Sequence, residues 1–421
     1  MQNNFSLPYS IMDKNRHIAS KINQLLEMFP VVVIIGSRQC GKSTLVKQLK
    51  PDWKYYDLES PDDYQLITGD PIAFFTLNSQ QLIIDEAQQY SEIFPVLRGV
   101  IDADRKTKGR FILTGSSSPK IVKGITESLA GRIATIEMSP FKQSELYEKP
   151  LSELYSLIIS GKQQDFLNLK PQLSLEHSMR LWLQGGFPEP MIESENNLLY
   201  YQHWMENYID NYVNRDIRSL FPRLNIYNYR RFLTLLAQYS GHQLNMSNMA
   251  TALEVSVSTV KYYLDIIHQT FLWRNLEPYI NNPLKKVQKS NKGFFRDQGI
   301  LHHLLRINDL EQLLLHPVAG FSFESFVIEE LIRGLEATMT TQLEFTYYRT
   351  VDKSEVDLII EGNFGILPVE IKLNTVIKQR ELRGLKNFID DMKCPYGFVI
   401  NRGKRIEILT DKIVQIPIHY L

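Results

Sequence analysis

Glycines, a lysine and hydroxyl residues that can together hold phosphate groups follow an apolar run near the start of the chain. The segment Gly36-Ser37-Arg38-Gln39-Cys40-Gly41-Lys42-Ser43-Thr44 has the glycine and lysine spacing of a P-loop. Glycines allow backbone N–H groups to turn inward around phosphate oxygens, and the N-terminus of a following helix adds partial positive charge. Lys42 would reach the β- and γ-phosphates, and Ser43 would hold Mg²⁺. We therefore expect residues 36–44 to bind the phosphates of a nucleotide.

Two acids end a second apolar run, Leu82-Ile83-Ile84-Asp85-Glu86, about 40 residues after this loop. Such a pair alone is weak evidence, because strand ends often carry solvated acids. After a P-loop it has the order of a Walker B motif, in which Asp85 would ligate the Mg²⁺ shell through water. Glu86 would orient or polarise the attacking water, because phosphoryl transfer depends mainly on positioning.

Hydroxyl residues and an arginine follow in the same half of the chain. The run Phe111-Ile112-Leu113-Thr114-Gly115-Ser116 is typical of a buried strand that ends where the γ-phosphate is sensed, a role open to Thr114 or Ser116. The alternative is that these hydroxyls cap the next helix. Arg132, after Leu129-Ala130-Gly131, is a planar five-donor cation suited to developing phosphate charge. Arg132 could be an arginine finger, or it could form a structural ion pair.

Buried strands and a helix must position these residues. The β-branched run Val31–Ile35 is typical of a strand buried on both faces of a parallel sheet. After Lys42, apolar residues recur at helical spacing, so the loop connects a strand to a helix, as a P-loop requires. Further parallel strands are predicted over 54–58, 82–86, 111–118 and 133–137.

Charged residues alternate with apolar ones in the last third of the chain. Strands are predicted over 345–349, 355–361 and 366–373, and Gly362-Asn363-Phe364-Gly365 would close the last two into a hairpin. If Glu361 pairs with Ile366, Asp357 lies opposite Glu370 on one face of this hairpin. The other face would be buried through Val356, Leu358, Ile360, Leu367, Val369 and Ile371. Opposed carboxylates destabilise a sheet unless a cation lies between them.

Asp357, Glu370 and Lys372 resemble the Asp, Glu-x-Lys core of the PD-(D/E)xK nucleases. Glu324, on a helix predicted over 321–335, would be the additional acid often found in that group. The resemblance implies that the acids bind Mg²⁺ or Mn²⁺ and that Lys372 steers or activates water for phosphodiester attack. The alternative is an inherited fold whose charges only pair, Glu355 with Lys372 and Arg349 with Asp357.

Between the two candidate sites the pattern is helical. Aromatic residues at helical spacing over 200–212 predict helices that form a lid. Ser247 would cap a short helix, and a second helix over 256–268 follows a turn, which satisfies helix-turn-helix spacing. A strand-like segment from Phe271 then makes a winged helix. Lys261 and His268 are the only cations that the second helix offers, so we favour a structural lid over a DNA reader.

Four motifs together resemble the prokaryotic AAA-family ATPases that carry a C-terminal domain of unknown function, DUF4143. They are the P-loop, Asp85-Glu86-Ala87-Gln88, Leu113-Thr114-Gly115-Ser116 and Leu129-Ala130-Gly131-Arg132. The likeness runs over nearly the whole chain and implies ATP as the nucleotide. It implies an α/β fold: a P-loop NTPase with an additional-strand, AAA-type parallel sheet, a helical and winged-helix lid, and a C-terminal α/β nuclease-like domain. The expected segments are 1–145 for the ATPase core, 146–240 for the helical lid, 241–285 for the winged helix and 286–421 for the nuclease-like domain.

Composition limits what the chain can bind. The 421 residues hold 47 Lys plus Arg and 47 Asp plus Glu, so no net charge draws the chain to nucleic acid or membrane. Binding of DNA or RNA must then come from a local patch. The best patch lies within 281–296, which has no acid, and a solvated loop is its alternative. Its cations are Lys285, Lys286, Lys289, Lys292 and Arg296.

Only two cysteines occur, and the longest apolar run near the start is too short to span a bilayer, so we expect a reducing cytoplasm and no membrane segment. Arg132 can serve a neighbouring subunit's nucleotide, which makes a dimer or ring an expectation. The sequence favours an ATP-hydrolysing engine joined to a metal-dependent nuclease-like domain that acts on nucleic acid. The alternative is a nucleotide-dependent switch or scaffold that binds a protein or nucleic-acid partner through an inactive nuclease fold.

Overall fold

The computed structural model describes residues 14–116, 129–194, 197–280, 291–350 and 354–421. The chain forms two compact units. The first contains Met1–Phe141, Phe187–Ile192 and Gln269–Phe271, and the second contains Lys142–Gly186, Glu193–His268 and Leu272–Leu421. The finer division into four segments stays a prediction.

Parallel strands form the centre of the first unit. They are β1 (Val31–Ile35), β2 (Lys54–Asp57), β3 (Leu82–Asp85), β4 (Phe111–Gly115) and β5 (Ile133–Glu137). Their order in the sheet is β2-β3-β4-β1-β5. Because β4 lies between β1, which leads into the phosphate loop, and β3, which ends at the acids, the sheet has the predicted additional strand. The expected parallel α/β sheet is confirmed.

Helices cover both faces of this sheet: α1 (Ile18–Met28), α2 (Lys42–Leu49), α3 (Pro61–Gly69), α4 (Pro71–Leu77) and α5 (Ile93–Ala103). Successive side chains of a strand point to opposite faces, so β1 contributes to two apolar clusters. Val33 packs in the cluster that includes Leu97 of α5. Val32 packs in the cluster that includes Ile22 of α1 and Leu45 of α2. All five residues of β1 are buried, as a strand covered on both faces requires.

Helices dominate the chain between residues 143 and 336. They are α6 (Gln143–Leu146), α7 (Glu153–Ser160), α8 (Leu175–Gln184), α9 (Pro188–Glu193), α10 (Leu198–Asn211), α11 (Arg218–Leu220), α12 (Ile226–Gln238), α13 (Met246–Leu253), α14 (Val257–Gln269), α15 (Gln298–Leu304), α16 (Leu310–Leu315) and α17 (Ala319–Glu336). A π-helical turn, Tyr212–Ile217, joins α10 to α11. Among the described helices, none is both long and apolar enough to cross a membrane.

The predicted helix-turn-helix is present as α13 and α14. It is accompanied by β6 (His242–Gln243), β7 (Trp273–Pro278) and β8 (Lys292–Phe295), in which β8 pairs antiparallel with both neighbours. The order of these helices and strands is compatible with a winged helix, an assignment that stays a prediction. The cap predicted at Ser247 is wrong: the cap is Asn245, two residues earlier, whose Oδ1 accepts the N–H of Asn248 at 3.0 Å.

The wing strands and the C-terminal strands form one sheet. The remaining strands are β9 (Glu344–Arg349), β10 (Glu355–Gly362), β11 (Gly365–Ile371), β12 (Gly397–Asn401), β13 (Glu407–Thr410) and β14 (Ile413–Pro417), with α18 (Arg383–Asp391) between β11 and β12. The order is β13-β14-β12-β11-β10-β9-β7-β8-β6. Because β7 pairs in parallel with β9, the boundary predicted at residue 285 runs through a continuous sheet.

The hairpin β10–β11 has the predicted register, with Glu361 opposite Ile366. Its turn is shorter than predicted, because Gly362 also pairs with Gly365. The pairing of β10 with β9 shifts by one residue between Val356 and Ile359, which is a β-bulge. The bulge places Val356 in the same apolar cluster as Ile359, so the strict alternation predicted for β10 is wrong there. Residues 356–360 are all buried, so the face that carries the acid is covered as well.

Candidate functional site

The phosphate loop lies between the end of β1 and the start of α2. Gln39 and Gly41 have left-handed backbone angles, with φ of 59° and 98°, which turn the chain sharply before Lys42. A Cβ at Gly36 would lie 2.0 Å from the carbonyl oxygen of Met138, so no side chain fits there. Gly36 and Gly41 are therefore required by close packing and backbone conformation respectively.

Lys42 is buried, with 4% exposure, and its ammonium group turns back on the loop. Nζ donates to the carbonyl oxygens of Gly36 at 3.1 Å and Ser37 at 2.9 Å. Within the described residues, the buried hydroxyl of Ser37 has no hydrogen-bond partner. Ser43 and Thr44 lie in the first turn of α2 and are partly exposed. The loop thus carries a buried cation and an unpaired hydroxyl that fit a phosphate group.

Arg16 stabilises this loop through hydrogen bonds to backbone carbonyl oxygens. Its guanidinium donates to the carbonyl oxygens of Cys40 at 2.9 Å and Pro140 at 3.3 Å. The Cys40 thiol donates to the Met138 carbonyl at 3.4 Å and is fully buried, so Cys40 can meet a phosphate only through its backbone. Arg38 extends outward to Glu59, with 3.1 Å between nitrogen and oxygen.

Asp85 ends β3 at the same edge of the sheet as the phosphate loop. Both of its carboxylate oxygens accept hydrogen bonds, Oδ1 from the Thr114 hydroxyl and Oδ2 from the Tyr55 hydroxyl at 2.5 Å. Burial, and after it the hydrogen bond with Asp85, raises the pKa of Tyr55 far above its ordinary value. Tyr55 therefore stays a neutral donor, and it holds Asp85 together with Thr114.

Glu86 follows Asp85 in a left-handed conformation, with φ of 52°. Its Oε2 accepts a hydrogen bond from Ser116 Oγ at 2.7 Å and another from Gln88 Nε2. Gln88 Nε2 also donates to Ser116 Oγ at 3.1 Å. Thr114 and Ser116 thus contact the two acids. The alternative, that these hydroxyls cap a following helix, concerns residues 117–128, which lie outside the described residues.

Arg132 lies at the amino ends of the parallel strands, opposite the ends that carry the phosphate loop. Ile133 pairs with Val31 at the amino end of β1, whereas the phosphate loop follows the carboxyl end. Arg132 Nε donates to Asp102 Oδ1 at 2.8 Å, and its Nη2 donates to Asp102 Oδ2 at 2.9 Å. These hydrogen bonds lower the pKa of Asp102 to about 2. An arginine finger toward the nucleotide of its own chain is therefore wrong, and the ion-pair alternative describes the structure. A contact with a neighbouring subunit's nucleotide stays a prediction.

The second candidate site brings Asp357, Glu370 and Lys372 together, as predicted. Lys372 Nζ lies 2.5 Å from Glu370 Oε1 and 3.9 Å from Asp357 Oδ2. Asp357 Oδ2 also accepts the N–H of Ile371 at 2.7 Å. Among the described residues, Glu370 Oε2 is a buried oxygen with no hydrogen-bond partner.

Glu324 reaches this cluster from α17 but is bound to a lysine. Lys292 Nζ lies 2.5 Å from Glu324 Oε1 and 3.1 Å from Glu355 Oε1. Glu355 also lies 3.8 Å from Arg349, so the two pairs predicted for an inactive fold, Glu355 with Lys372 and Arg349 with Asp357, are not the pairs formed. In the part of the chain that the structure describes, no three acids, imidazoles or thiols are close enough to enclose a metal by themselves.

Lys292 and Arg296 do not belong to an exposed basic patch. Lys292 is 4% exposed and Arg296 is 7% exposed, and both form ion pairs, Arg296 with Glu329. Lys285, Lys286 and Lys289 lie outside the described residues. The basic stretch predicted from sequence thus contains two buried structural cations.

Burial controls the charge of the acids in this cluster. It is the main cause that raises the pKa of Glu370 to about 8, with the Asp357 carboxylate as the next cause. Burial likewise raises the pKa of Glu324 to about 8, against the opposing charge of Lys292. A buried acid with a raised pKa and an unpaired oxygen, as at Glu370, fits a divalent cation, because carboxylate oxygens are ligands that Mg²⁺ and Mn²⁺ take.

Family models match three successive segments of the chain. Residues 28–147 match a family model described as an AAA domain, 175–311 match a domain of unknown function (DUF8612), and 319–421 match a domain of unknown function (DUF4143). Two mycobacterial proteins, uncharacterized protein Rv2008c of Mycobacterium tuberculosis and uncharacterized protein Mb2031c of Mycobacterium bovis, are each 30% identical over 407 residues, which cover 96% of this chain and 83% of theirs. The chain belongs to the family of these two proteins. The expected AAA-type domain and DUF4143 domain are confirmed.

Solved structures with similar folds are more distant. The Walker-type ATPase of Pyrococcus abyssi has 15% identity and a TM-score of 0.46 and covers 70% of this chain and 100% of its own. The RuvB Holliday junction branch migration motor of Thermotoga maritima has 17% identity and a TM-score of 0.31 and covers 62% of this chain and 89% of its own. At these values neither likeness indicates what the family member described here acts on.

Sequence reasoning missed residues that reach the sites from distant segments. Arg16 precedes the phosphate loop by an entire helix and strand, so no local pattern connects it with Cys40. The contact of Tyr55 with Asp85 could have been predicted, because a parallel strand beside β3 brings its carboxyl end close to Asp85. Lys292 was grouped with its neighbours in sequence, whereas its carboxylate partners lie on α17 and β10.

Proposed function

We propose that the AAA domain binds ATP with Mg²⁺ and hydrolyses it. One observation carries this proposal: the phosphate loop, Asp85 and Glu86 lie at one edge of the sheet, and each acid is held by a hydroxyl from the end of β4. Such convergence suits phosphoryl transfer, which requires positioned groups and little covalent chemistry.

Each side chain has a distinct part in this proposal. Lys42 would exchange its bonds to the loop carbonyls for bonds to phosphate oxygens, since both are acceptors for an ammonium group. Ser43 and Asp85 would hold Mg²⁺, which neutralises phosphate charge when bound. Glu86, fixed by Ser116, would orient the attacking water.

Nucleotide binding and turnover, measured separately, test this proposal. Lys42→Ala should lose most ATP affinity, and Glu86→Gln should retain ATP but release phosphate far more slowly, because one residue binds phosphate and the other positions water. Lys108→Ala, at an exposed lysine before the amino end of β4, is the matched control and should match wild type. Unchanged turnover in both site variants would contradict the proposal.

We also propose that the DUF4143 domain is a metal-dependent phosphodiesterase that acts on nucleic acid. The observation that supports it is the cluster of two buried acids, Asp357 and Glu370, with Lys372, in which Glu370 Oε2 has no hydrogen-bond partner among the described residues. Asp357 and Glu370 would hold Mg²⁺ or Mn²⁺, which activates water and stabilises charge on a phosphodiester. Lys372, bound to Glu370, would steer that water or stabilise the negative charge of the transition state.

The winged helix does not by itself identify the nucleic acid. The exposed face of α14 carries Lys261, Tyr262 and Asp265, so an acid offsets the nearest cation and the face offers few phosphate contacts. This supports a structural role for the winged helix. DNA and RNA therefore both remain substrates to test, and assembly into a dimer or ring and a cytoplasmic location stay predictions.

A cleavage assay decides between this activity and a binding role. Single- and double-stranded DNA and RNA are incubated with Mg²⁺ or Mn²⁺, with and without ATP. We expect cleavage by wild type and by Lys412→Ala, an exposed control lysine, but not by Lys372→Ala or Asp357→Asn. Absence of cleavage of every substrate would favour the alternative, a nucleotide-dependent switch or scaffold with an inactive nuclease fold.

A further inference from the structure

The acid cluster of the second unit holds two lysines at different positions, the buried Lys292 and the partly exposed Lys372. Lys372 lies between Glu370 and Asp357, next to the residues proposed to bind metal. Lys292 lies between Glu324 and Glu355 and comes from the wing strand β8. Two cation positions therefore exist side by side, and each is formed by a pair of carboxylates.

Lys292 is held firmly in its position. It is 4% exposed, and its strand pairs on one side with β7, where it lies opposite Leu276, and on the other side with β6, where it lies opposite Gln243. A buried ammonium group is stable only with close counter-charges, and Glu324 at 2.5 Å and Glu355 at 3.1 Å supply them.

The two carboxylate pairs differ in whether one of their oxygens still lacks a partner. Glu324 Oε1 and Glu355 Oε1 both contact the Lys292 ammonium group. Glu370, in contrast, is 6% exposed and has a buried oxygen, Oε2, without a partner among the described residues. A carboxylate oxygen that is buried and unpaired calls for a further cation or donor.

We propose that Lys292 occupies a second cation position, so that the cluster takes one divalent cation, at Asp357 and Glu370, and excludes another from Glu324 and Glu355. This inference rests on the proposed metal-dependent function. It predicts single-ion chemistry, because a two-metal site needs two ions about 4 Å apart to stabilise the attacking and leaving oxygens, and Lys292 leaves room for one. It also explains why Glu324 is close to the cluster without being a ligand.

Metal counting on the full chain without nucleotide tests the proposal. Mn²⁺ is titrated while the free ion is followed by electron paramagnetic resonance, and any ion retained by Asp357→Asn is counted as background. Wild type should bind one ion. Lys292→Met, which keeps an unbranched side chain but removes the ammonium group and its charge, should bind two, and Lys292→Met/Glu324→Gln should return to one.

Melting temperatures supply a second readout. Lys292→Met leaves two acids facing each other, so millimolar Mn²⁺ should raise its melting temperature more than it raises that of wild type. Lys412→Met is the control and should resemble wild type in both measurements. A Lys292→Met protein that Mn²⁺ cannot stabilise would overturn the inference.

The outcomes separate this inference from the proposed function. Two ions on wild type, or one ion on folded Lys292→Met, would overturn the inference and leave a metal-dependent site in place. No ion on wild type at millimolar Mn²⁺ would overturn the proposed metal-dependent function, and the inference with it.

Discussion

Ser116 Oγ donates a 2.7 Å hydrogen bond to Oε2 of Glu86. The two residues follow β4 and β3, adjacent parallel strands whose carboxyl ends meet at the edge of the phosphate loop. The carboxylate of Glu86 accepts hydrogen bonds from the side chains of Ser116 and Gln88, which hold its orientation. Ser116 is therefore a positioning residue for the acid that is proposed to direct water.

Ser116→Ala should lower kcat for ATP hydrolysis on the order of 10-fold, because Glu86 keeps only the Gln88 donor and loses its fixed orientation. The KM for ATP and its binding affinity should stay near wild type, since the Ser116 hydroxyl bonds to Glu86 and Gln88 among the described residues. Ser116→Thr should recover most of kcat by restoring a hydroxyl. Ser20→Ala, at an exposed serine on α1, is the control. Equal loss of kcat in Ser116→Thr would contradict the positioning role.

Arg132→Ala should leave ATP turnover within about 2-fold of wild type, because the guanidinium pairs with Asp102 at the edge away from the phosphate loop. Asp102→Asn removes the same ion pair, and both variants should show a similar small decrease in melting temperature. Turnover assays at several protein concentrations check this. A large loss in Arg132→Ala but none in Asp102→Asn would instead support an arginine finger toward a neighbouring subunit.

The features that could be predicted from the sequence are those that a single short segment determines. A β-branched run, a glycine turn and a helical repeat identify the phosphate loop, because one segment carries all of its parts. The β10–β11 register was predictable for the same reason, since a short turn sets it. The bulge at Val356 could not be foreseen, because it arises from the pairing with β9, and no pattern in β10 reports that contact.

Contacts between distant segments explain the rest of what was missed. Lys292 lies 32 positions before Glu324 and 63 before Glu355, so its charge appeared to belong to a basic stretch. The pairing of β7 with β9 likewise connects segments that we predicted to be separate domains, 241–285 and 286–421. A charge in an acid-free stretch of sequence can thus be a buried partner in the fold.

Lys142→Met should lower the free energy of unfolding by roughly 3–5 kcal/mol, because it leaves the carboxylate of Glu330 buried without its cation. Lys142 Nζ lies 3.2 Å from Glu330 Oε2 and donates to the Tyr155 hydroxyl at 2.6 Å, and Lys142 and Glu330 are nearly or fully inaccessible to solvent. Lys142→Met/Glu330→Gln should recover part of that loss by removing the charge. Denaturant unfolding of the full chain measures both. Equal stability of the single and double variants would show that charge is not the cause.

Acid should destabilise the second unit through His302. Its Nδ1 bonds to the Leu183 carbonyl at 2.7 Å and its Nε2 to Ser322 Oγ at 2.7 Å, so the neutral ring is satisfied. Burial lowers the pKa of His302 from 6.5 to about 4, and the nearby His316 acts in the same direction. The unfolded chain therefore binds the proton first, and this contribution to stability is complete above pH 6.5 and decreases as pH falls toward 4.

The His302 contribution should amount to roughly 2 kcal/mol between pH 7 and pH 5, from about 1.4 kcal/mol per pKa unit. Between pH 7 and pH 5, the free energy of unfolding should decrease more in wild type than in His302→Gln, which cannot gain that proton. Comparing the two proteins cancels groups that titrate in both, including Glu324 and Glu370. Parallel pH profiles would mean that His302 titrates normally in the fold.

The metal site makes its own thermal prediction. Mg²⁺ or Mn²⁺ should raise the melting temperature of the full chain, because an ion that binds only the folded state stabilises it by mass action. The full chain is needed, since β9 pairs with the wing strand β7 and a fragment starting at residue 286 would lose that neighbour. Asp357→Asn should abolish the shift and slightly stabilise the metal-free protein, because it removes one of two adjacent like charges.

Lys372→Ala separates metal binding from chemistry. It leaves both acids in place, so the metal-dependent rise in melting temperature should persist while phosphodiester cleavage is lost. The ammonium group is 2.5 Å from Glu370 Oε1, and its removal leaves that oxygen free for the metal, so the shift should be at least as large as in wild type. Glu407→Gln, at an exposed acid of β13, is the control for general effects of charge. If Asp357→Asn keeps the full shift, or wild type shows none at millimolar metal, these residues form a structural ion-pair cluster. The nucleotide-dependent switch or scaffold would then describe the chain better than a metal-dependent nuclease.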